Sequence, residues 1–185
     1  MKNVFVYDIE TFPTCFLFCI ADLEKRKLKV FEISSRKDQR VEMFNYLRGI
    51  YDNKTILCGF NNLGFDEPVT QYLLKNKTIS VGEIYKYAMK VIEAGYGDNR
   101  WQYIIKDSER IFKQMDLFKI NHFDNRAKAT SLKMLEFNGR SNNIEDLPFP
   151  VGTHLNSKQM DVLIEYVIHD IKETIKFYEA CKPQI

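Results

Sequence analysis

Val4-Phe5-Val6-Tyr7-Asp8-Ile9-Glu10-Thr11 is a run of β-branched and aromatic residues that ends in two acids. Apolar side chains at consecutive positions, from Asn3 to Ile9, describe a central strand covered on both faces. Side chains alternate along a strand, so Asp8 and Glu10 project together from one face at its end. Two carboxylates held that close repel one another and raise a pKa unless a cation lies between them. An Asp-x-Glu pair closing an apolar run is, taken alone, more often a solvated strand end than a metal site. The rest of the chain has to decide.

Outward from that strand, Cys15 to Leu23 and Leu28 to Ile33 read as two further strands about the charged turn Glu24-Lys25-Arg26-Lys27, a three-strand meander. Val41 to Tyr51 carries apolar residues at helical spacing, and Thr55 to Phe60 is a short strand. Glu67 to Leu74 is expected to be a helix with Pro68 in its first turn and Asp66 at its N-terminal end. Val81 to Ala94 is a second helix, closed by Gly95 and the Gly97-Asp98-Asn99 turn. Ile111 to Phe118 is a candidate strand and Ala129 to Phe137 a short helix. Asn156 with Gln159 forms a near relative of a capping box, opening a long helix from Ser157 to Ala180. A meander followed by alternating helices and strands predicts an α/β fold, a mixed β-sheet flanked by helices.

At 185 residues, 45% of them hydrophobic, the chain can bury the core of one ordinary domain, so residues 1–185 are expected to form one. No apolar run is long enough to span a bilayer, and no basic-then-apolar leader precedes Asp8, which predicts a soluble, intracellular (cytoplasmic) protein with no membrane contact. Cys15, Cys19, Cys58 and Cys181 lack Cys-x-x-Cys or zinc-ligand spacing and read as reduced, packed thiols. A net charge of +2 is too small to mark a nucleic-acid binder by itself.

Further acids complete the pattern. Asp66 ends Gly59-Phe60-Asn61-Asn62-Leu63-Gly64-Phe65-Asp66, and Tyr166 and Asp170 stand four apart in Glu165-Tyr166-Val167-Ile168-His169-Asp170. Residues four apart on a helix share a face. If the last helix packs beside the first strand, Asp170 completes a three-carboxylate cluster with Asp8 and Glu10, and Asp66 approaches from its helix start. Oxygen ligands without histidine or thiolate favour Mg²⁺ or Mn²⁺. His169, its side chain about 100° from that of Asp170 around the helix, reads as structural, and His122 and His154 have no partner at ligand spacing. Asp116 reads as a structural aspartate.

In this order and context the motifs Asp8-Ile9-Glu10-Thr11, Asn61 to Asp66, and Tyr166 to Asp170 resemble those of the DEDD exonucleases, which have a ribonuclease H-like fold and include the proofreading domains of DNA polymerases. The resemblance runs from Asp8 to Asp170. It is to the tyrosine subtype, because the histidine subtype has its histidine five residues before the last aspartate, where this chain has Glu165. Gly59-Phe60-Asn61 followed by Phe65-Asp66 looks most like the proofreading domains of family B polymerases. The stretch from Met115 to Phe137 is similar to exonucleases that phages encode beside or within their DNA polymerases. No polymerase motif is present, so the chain is expected to be a stand-alone exonuclease or the front portion of a longer protein.

The resemblance implies a metal-dependent 3′→5′ exonuclease acting on the 3′ end of single-stranded DNA, in proofreading or end trimming, with two divalent ions and the release of nucleoside 5′-monophosphates. It implies that Asp8, Glu10 and Asp170 hold the ion that activates water. Asp8 would bridge to a second ion, supported by Asp66 through water, and Tyr166 would orient the attacking water. Thr11 would contact the terminal nucleotide, with Asn61 and Phe65 along the single-strand path. From the residues themselves, Arg126, Lys128 and Lys133 form the best phosphate-contacting patch, and Trp101, Tyr103 and Phe112 are aromatics able to stack on a base. A solvated helix face and ordinary core aromatics account for these nearly as well. RNA remains open as the polymer. So does an idle domain that binds nucleic acid or a DNA polymerase, although idle members usually lose a carboxylate and all four are present here.

Overall fold

A computed structural model describes residues 3–52, 54–97, 101–121 and 147–184. The opening run forms β1 (Asn3–Phe12), which turns through Pro13 and Thr14 into β2 (Cys15–Asp22), and β3 (Lys27–Ser34) returns antiparallel to it. The second hairpin turn is held by the Asp22 carboxylate, which accepts from the Glu24 and Lys25 N–H groups at 3.0 Å each. The chain then crosses through α1 (Arg40–Ile50) to β4 (Thr55–Gly59), which lies parallel to β1. Next come α2 (Asp66–Lys75), α3 (Val81–Tyr96), and β5 (Lys113–Asp116), parallel to β4. The described remainder is the short α4 (Leu117–Asn121) and the long α5 (Ser157–Cys181). Among the described residues the sheet has five strands in the order β3-β2-β1-β4-β5, a mixed sheet flanked by helices as the sequence predicts.

Alternation sorts the β1 side chains onto two cores. Phe5, Tyr7 and Ile9 join Phe16, Phe18 and Ile20 beneath α1, α2 and α3, through Met43, Leu47, Val69, Leu73, Ile84 and Ala88. Val6 and Phe12 join Leu17, Cys19 and Cys58 beneath α5, through Met160, Leu163, Val167 and Ile171. Asp8 and Glu10 share the parity of Val6 and Phe12, so they face α5. All four cysteines are buried thiols, as expected, and burial pushes Cys15 and Cys58 up to about 12.

A capping box opens α5, and two ties set it over the sheet. Asn156 Oδ1 accepts from the Gln159 N–H (3.0 Å) and Gln159 Oε1 from the Asn156 N–H (2.9 Å), the predicted capping box. The Leu155 N–H donates to Thr14 Oγ1 in the hairpin turn (2.8 Å). Arg36, just beyond β3, donates to both Glu32 oxygens (2.8 and 3.0 Å), to Asp161 Oδ1 (2.7 Å) and to the Ser157 carbonyl (2.8 Å).

Several boundaries differ from the sequence reading. β1 continues past Ile9 to Phe12 because Glu10, Thr11 and Phe12 keep pairing with Leu17, Phe16 and Cys15 in the hairpin. α3 passes through Gly95 and ends at Tyr96, capped by Gly97 at φ −102°, so no left-handed glycine closes it. The segment expected as a strand from Ile111 to Phe118 pairs with β4 only at Lys113–Asp116, and Leu117 already begins α4. The helix expected at Ala129 to Phe137, His122, and the basic patch of Arg126, Lys128 and Lys133 lie outside the described residues.

Candidate active site

The β1–β4 ladder ends at Val6 opposite Cys58, while β1 runs on for another six residues, to Phe12. Past the carboxyl end of β4, therefore, β1 has a strand neighbour on one side only among the described residues, and a crevice opens at the position where ligands commonly lie in parallel sheets. β4 leaves through a tight turn. A Cβ on Gly59 would come within 2.8 Å of Asn62 Cβ and 3.1 Å of the Tyr7 carbonyl, so only glycine fits. Asn61 takes a left-handed φ of 58°. The buried Asp116 carboxylate pins this turn by accepting from the Asn61 N–H (2.9 Å) and the Leu63 N–H (3.4 Å), and it also caps α4 through the N–H groups of Phe118 (3.0 Å) and Lys119 (3.4 Å). Asp116 is thus structural, as its sequence context suggested.

The turn delivers Asp66 to the first position of α2, where the Ile9 N–H, beyond the β4 ladder, donates to its Oδ1 at 3.1 Å. The next residue, Glu67, is buried and accepts from Arg110 Nε at 2.9 Å, which fixes the start of α2 to the segment before β5. Burial raises Glu67 to about 7 in spite of that cation. The Glu67–Arg110 pair was invisible in the sequence, since 43 residues separate the partners.

From the other side α5 brings Asp170 to β1. Asp8, Glu10 and Asp170 each present a carboxylate oxygen such that all three lie within 4.8 Å of one another, and all three residues are half-buried. Asp66 stands against them and shares a hydrogen bond with Asp8. Burial, reinforced by Asp66, Glu10 and Asp170, raises Asp8 well above the usual carboxylate range. Burial and the charges of Asp170 and Asp66 do the same to Glu10. Burial raises Asp66 to about 7 despite the hydrogen bonds from Asp8 and the backbone. Such a cluster is electrostatically unfavourable by itself, and a cation bound among these carboxylates would offset their repulsion and favour their ionised forms. The donor set is oxygen only, without histidine or cysteine, which fits a hard divalent cation.

Tyr166, one turn before Asp170, is buried, and its hydroxyl hydrogen-bonds to the Asp170 carboxylate. Burial first, then the charges of Asp170 and Glu10, push its pKa far above the ordinary tyrosine value. It stands beside the cluster and does not line the open crevice, which has a volume of about 640 Å³. Asp8, Glu10, Asp66 and Asp170 line it, with Asn61 and Phe65 along one edge. Phe65 also packs against the core under α2. Thr11 has the parity of Tyr7 and Ile9, pairs with Phe16, and is not among the crevice residues.

Of the aromatics singled out in the sequence, Trp101 and Tyr103 line the crevice. Phe112 does not: it is buried in the core, edge-on to Tyr51 at 5.4 Å, because its segment leads into β5. Tyr96 and Lys119 also line the crevice and escaped sequence reading. In sequence Tyr96 falls between Gly95 and Gly97, beyond the helix expected to end at Ala94, and no motif singles out Lys119. His169 is half-buried and His154 exposed, and neither joins the cluster.

No protein-family model and no curated protein matches the sequence. Among solved structures, the family B DNA polymerase of the hyperthermophilic archaeon Pyrobaculum calidifontis matches with a TM-score of 0.59 and 17% identity, covering 99% of this chain and 25% of that one. The chain spans about a quarter of the polymerase's length. At such identity the likeness is one of fold: a ribonuclease H-like mixed sheet flanked by helices, similar to a portion of a family B DNA polymerase.

Proposed function

We propose that this chain is a metal-dependent 3′→5′ exonuclease acting on single-stranded DNA, in proofreading or end trimming. The observation that carries the reading is the convergence of Asp8, Glu10 and Asp170 within 4.8 Å, with Asp66 against them, on the floor of an open crevice. The fold likeness to part of a DNA polymerase supports the same class of substrate.

Asp8, Glu10, Asp66 and Asp170 would hold two Mg²⁺ or Mn²⁺ ions. Bound there, the ions supply Lewis acidity at the attacking and leaving oxygens of an in-line displacement. The protein's own contribution is placement. The Ile9 N–H and the start of α2 fix Asp66, the capping box and Arg36 fix α5, and Tyr166 orients the attacking water by its hydroxyl. Its raised pKa keeps that hydroxyl protonated, so Tyr166 is a hydrogen-bond donor and no base. The water oxygen attacks phosphorus, the bond to the 3′-oxygen of the preceding nucleotide breaks, and a nucleoside 5′-monophosphate leaves behind a new 3′-hydroxyl. Asn61 and Phe65 are assigned to the terminal nucleotides and Arg126, Lys128 and Lys133 to the strand's phosphates, while Thr11, on the other face of β1 and outside the crevice, is given no contact.

The test is release of mononucleotides from DNA and RNA strands of equal sequence, with Mg²⁺ or Mn²⁺ and with Asp8→Ala as control. DNA cleavage that Asp8→Ala abolishes supports the proposal. Preference for RNA would move the chain to the exoribonucleases, and no metal-dependent release from either polymer would leave a domain that only binds nucleic acid or a polymerase.

A further inference from the structure

The start of α2 is buried and polar: Asp66 is 4%, Glu67 3%, Thr70 5% and Gln71 4% exposed. Polar side chains in such a place cost stability that apolar ones would add, and one Glu67 oxygen, Oε2, has no hydrogen-bond partner among the described residues. Stability does not explain these choices; geometry does. Glu67 and Gln71 stand four apart and share a face of the helix. That face grips the tripeptide Glu109-Arg110-Ile111. Gln71 Nε2 donates to the Glu109 carbonyl (3.0 Å) and Gln71 Oε1 accepts from the Ile111 N–H (3.1 Å). Between those two backbone bonds, Arg110 Nε donates to Glu67 Oε1 (2.9 Å). The Asp107 carboxylate, in the short 3₁₀ turn Asp107–Glu109, accepts from Arg110 Nη1, so the guanidinium is held from both sides. Just beyond Ile111 the chain enters β5. Asp66 precedes Glu67 by one position and reaches elsewhere around the helix, to the Ile9 N–H of β1 (3.1 Å). α2 is thus tied to the sheet twice, toward β5 through Glu67 and Gln71 and to β1 through Asp66, and each contact constrains the other.

We propose, resting on the metal-dependent reading above, that Arg110 is a positioning residue: through Glu67 it sets the first turn of α2 so that the Asp66 carboxylate meets Ile9 and serves the second ion. Arg110 is not among the residues that line the crevice. Asp8, Glu10 and Asp170 come from β1 and α5, outside this clamp. Removing Arg110 should therefore loosen Asp66 and spare the ion that the other three hold. A side chain that merely stabilised the fold would weaken everything together.

Two readouts on the full chain separate these cases. Hydrogen exchange of the Ile9 amide reports on its bond to Asp66, with the β1 amides paired to β2 as internal reference. Calorimetry with Mn²⁺ alone counts the ions and their affinities. In Arg110→Ala the Ile9 amide should exchange at least about tenfold faster than in wild type while the reference amides change little. One Mn²⁺ ion should bind at least about tenfold less tightly, and the other as in wild type. Arg110→Lys should restore most of both. Arg110→Ala leaves the Glu67 carboxylate buried and unpaired, so the measurements are repeated on Glu67→Gln combined with Arg110→Ala, which keeps no charge there and should show the same selective losses. Variants indistinguishable from wild type, or reference amides and both ions changing in step with Ile9, would overturn the positioning role even if wild type degrades DNA. Selectively faster Ile9 exchange in a chain that binds no Mn²⁺ would support the clamp on Asp66 and reject the metal-dependent reading.

Discussion

Replacing Asp170 with asparagine removes one negative charge from the cluster while keeping an oxygen for the Tyr166 hydroxyl. The Asp170 carboxylate lies within 4.8 Å of those of Asp8 and Glu10. Two unit charges at that separation repel by about 3.5 kcal/mol at an effective dielectric of about 20. The metal-free protein already escapes part of this by binding protons, since burial and neighbouring carboxylates raise Asp8 and Glu10, and burial raises Asp66 to about 7. Half-exposure of the site screens the rest. About 1 to 3 kcal/mol should remain as a net gain for Asp170→Asn at pH 8, which for a chain of this size is a Tm higher by about 3 to 8 °C. A carboxylate with a raised folded-state pKa contributes stability fully present below its unfolded value and lost as pH rises through its folded one. The advantage of Asp170→Asn should therefore shrink toward pH 4 and grow toward pH 8. Saturating Mn²⁺ should reverse the order, since wild type gains about 4.1 kcal/mol at a thousandfold excess over Kd and the variant little of it. Thermal melts at both pH values, with and without Mn²⁺, are the assay. A variant melting at or below wild type at pH 8 without metal, and responding equally to Mn²⁺, would refute the reasoning.

Other outcomes follow from the same geometry. Burial alone would raise Glu32, but the Arg36 guanidinium and the Ser34 hydroxyl hold it below its ordinary value, so its contribution is present above the usual glutamate pKa and lost as pH falls. Arg36→Ala should leave that carboxylate buried and unpaired and cost about 1 to 3 kcal/mol in urea denaturation at pH 7, with Glu32→Gln costing less. Asp116→Ala removes the acceptor of backbone N–H groups in two turns and should cost about 2 to 4 kcal/mol and lower cleavage, whereas a variant as stable as wild type would deny its role. Tyr166→Phe should slow cleavage about tenfold or more while calorimetry finds Mn²⁺ affinity unchanged; an equal rate would remove its water-orienting role.

The fold was legible where local pattern and burial agree. Val4 to Ile9 is apolar on both faces because helices cover both, and Asp8 with Glu10, like Tyr166 with Asp170, is placed by period alone. Asn156 and Gln159 announced the start of α5 for the same reason. Ser80 and Glu83 form the equivalent box at the start of α3, a pattern equally local. What escaped depends on partners distant in sequence. β1 outruns its own apolar stretch because β2 pairs with its acidic end, and β5 pairs with β4 only from Lys113 to Asp116. Glu67 needs Arg110, and the Asn61 turn needs Asp116. The need for glycine at position 59 comes from Asn62 and Tyr7, a close approach that no periodicity reveals. Tyr96 and Trp101 acquire meaning only from the crevice they line.

The most direct measurement follows a 5′-labelled single-stranded DNA over time with Mg²⁺, resolving the products by length and the released nucleotide by chromatography. The account predicts shortening from the 3′ end one nucleotide at a time, release of nucleoside 5′-monophosphate, and no reaction in EDTA or with Asp8→Ala. Internal cuts, a 3′-phosphorylated product, or equal activity from Asp8→Ala would contradict it.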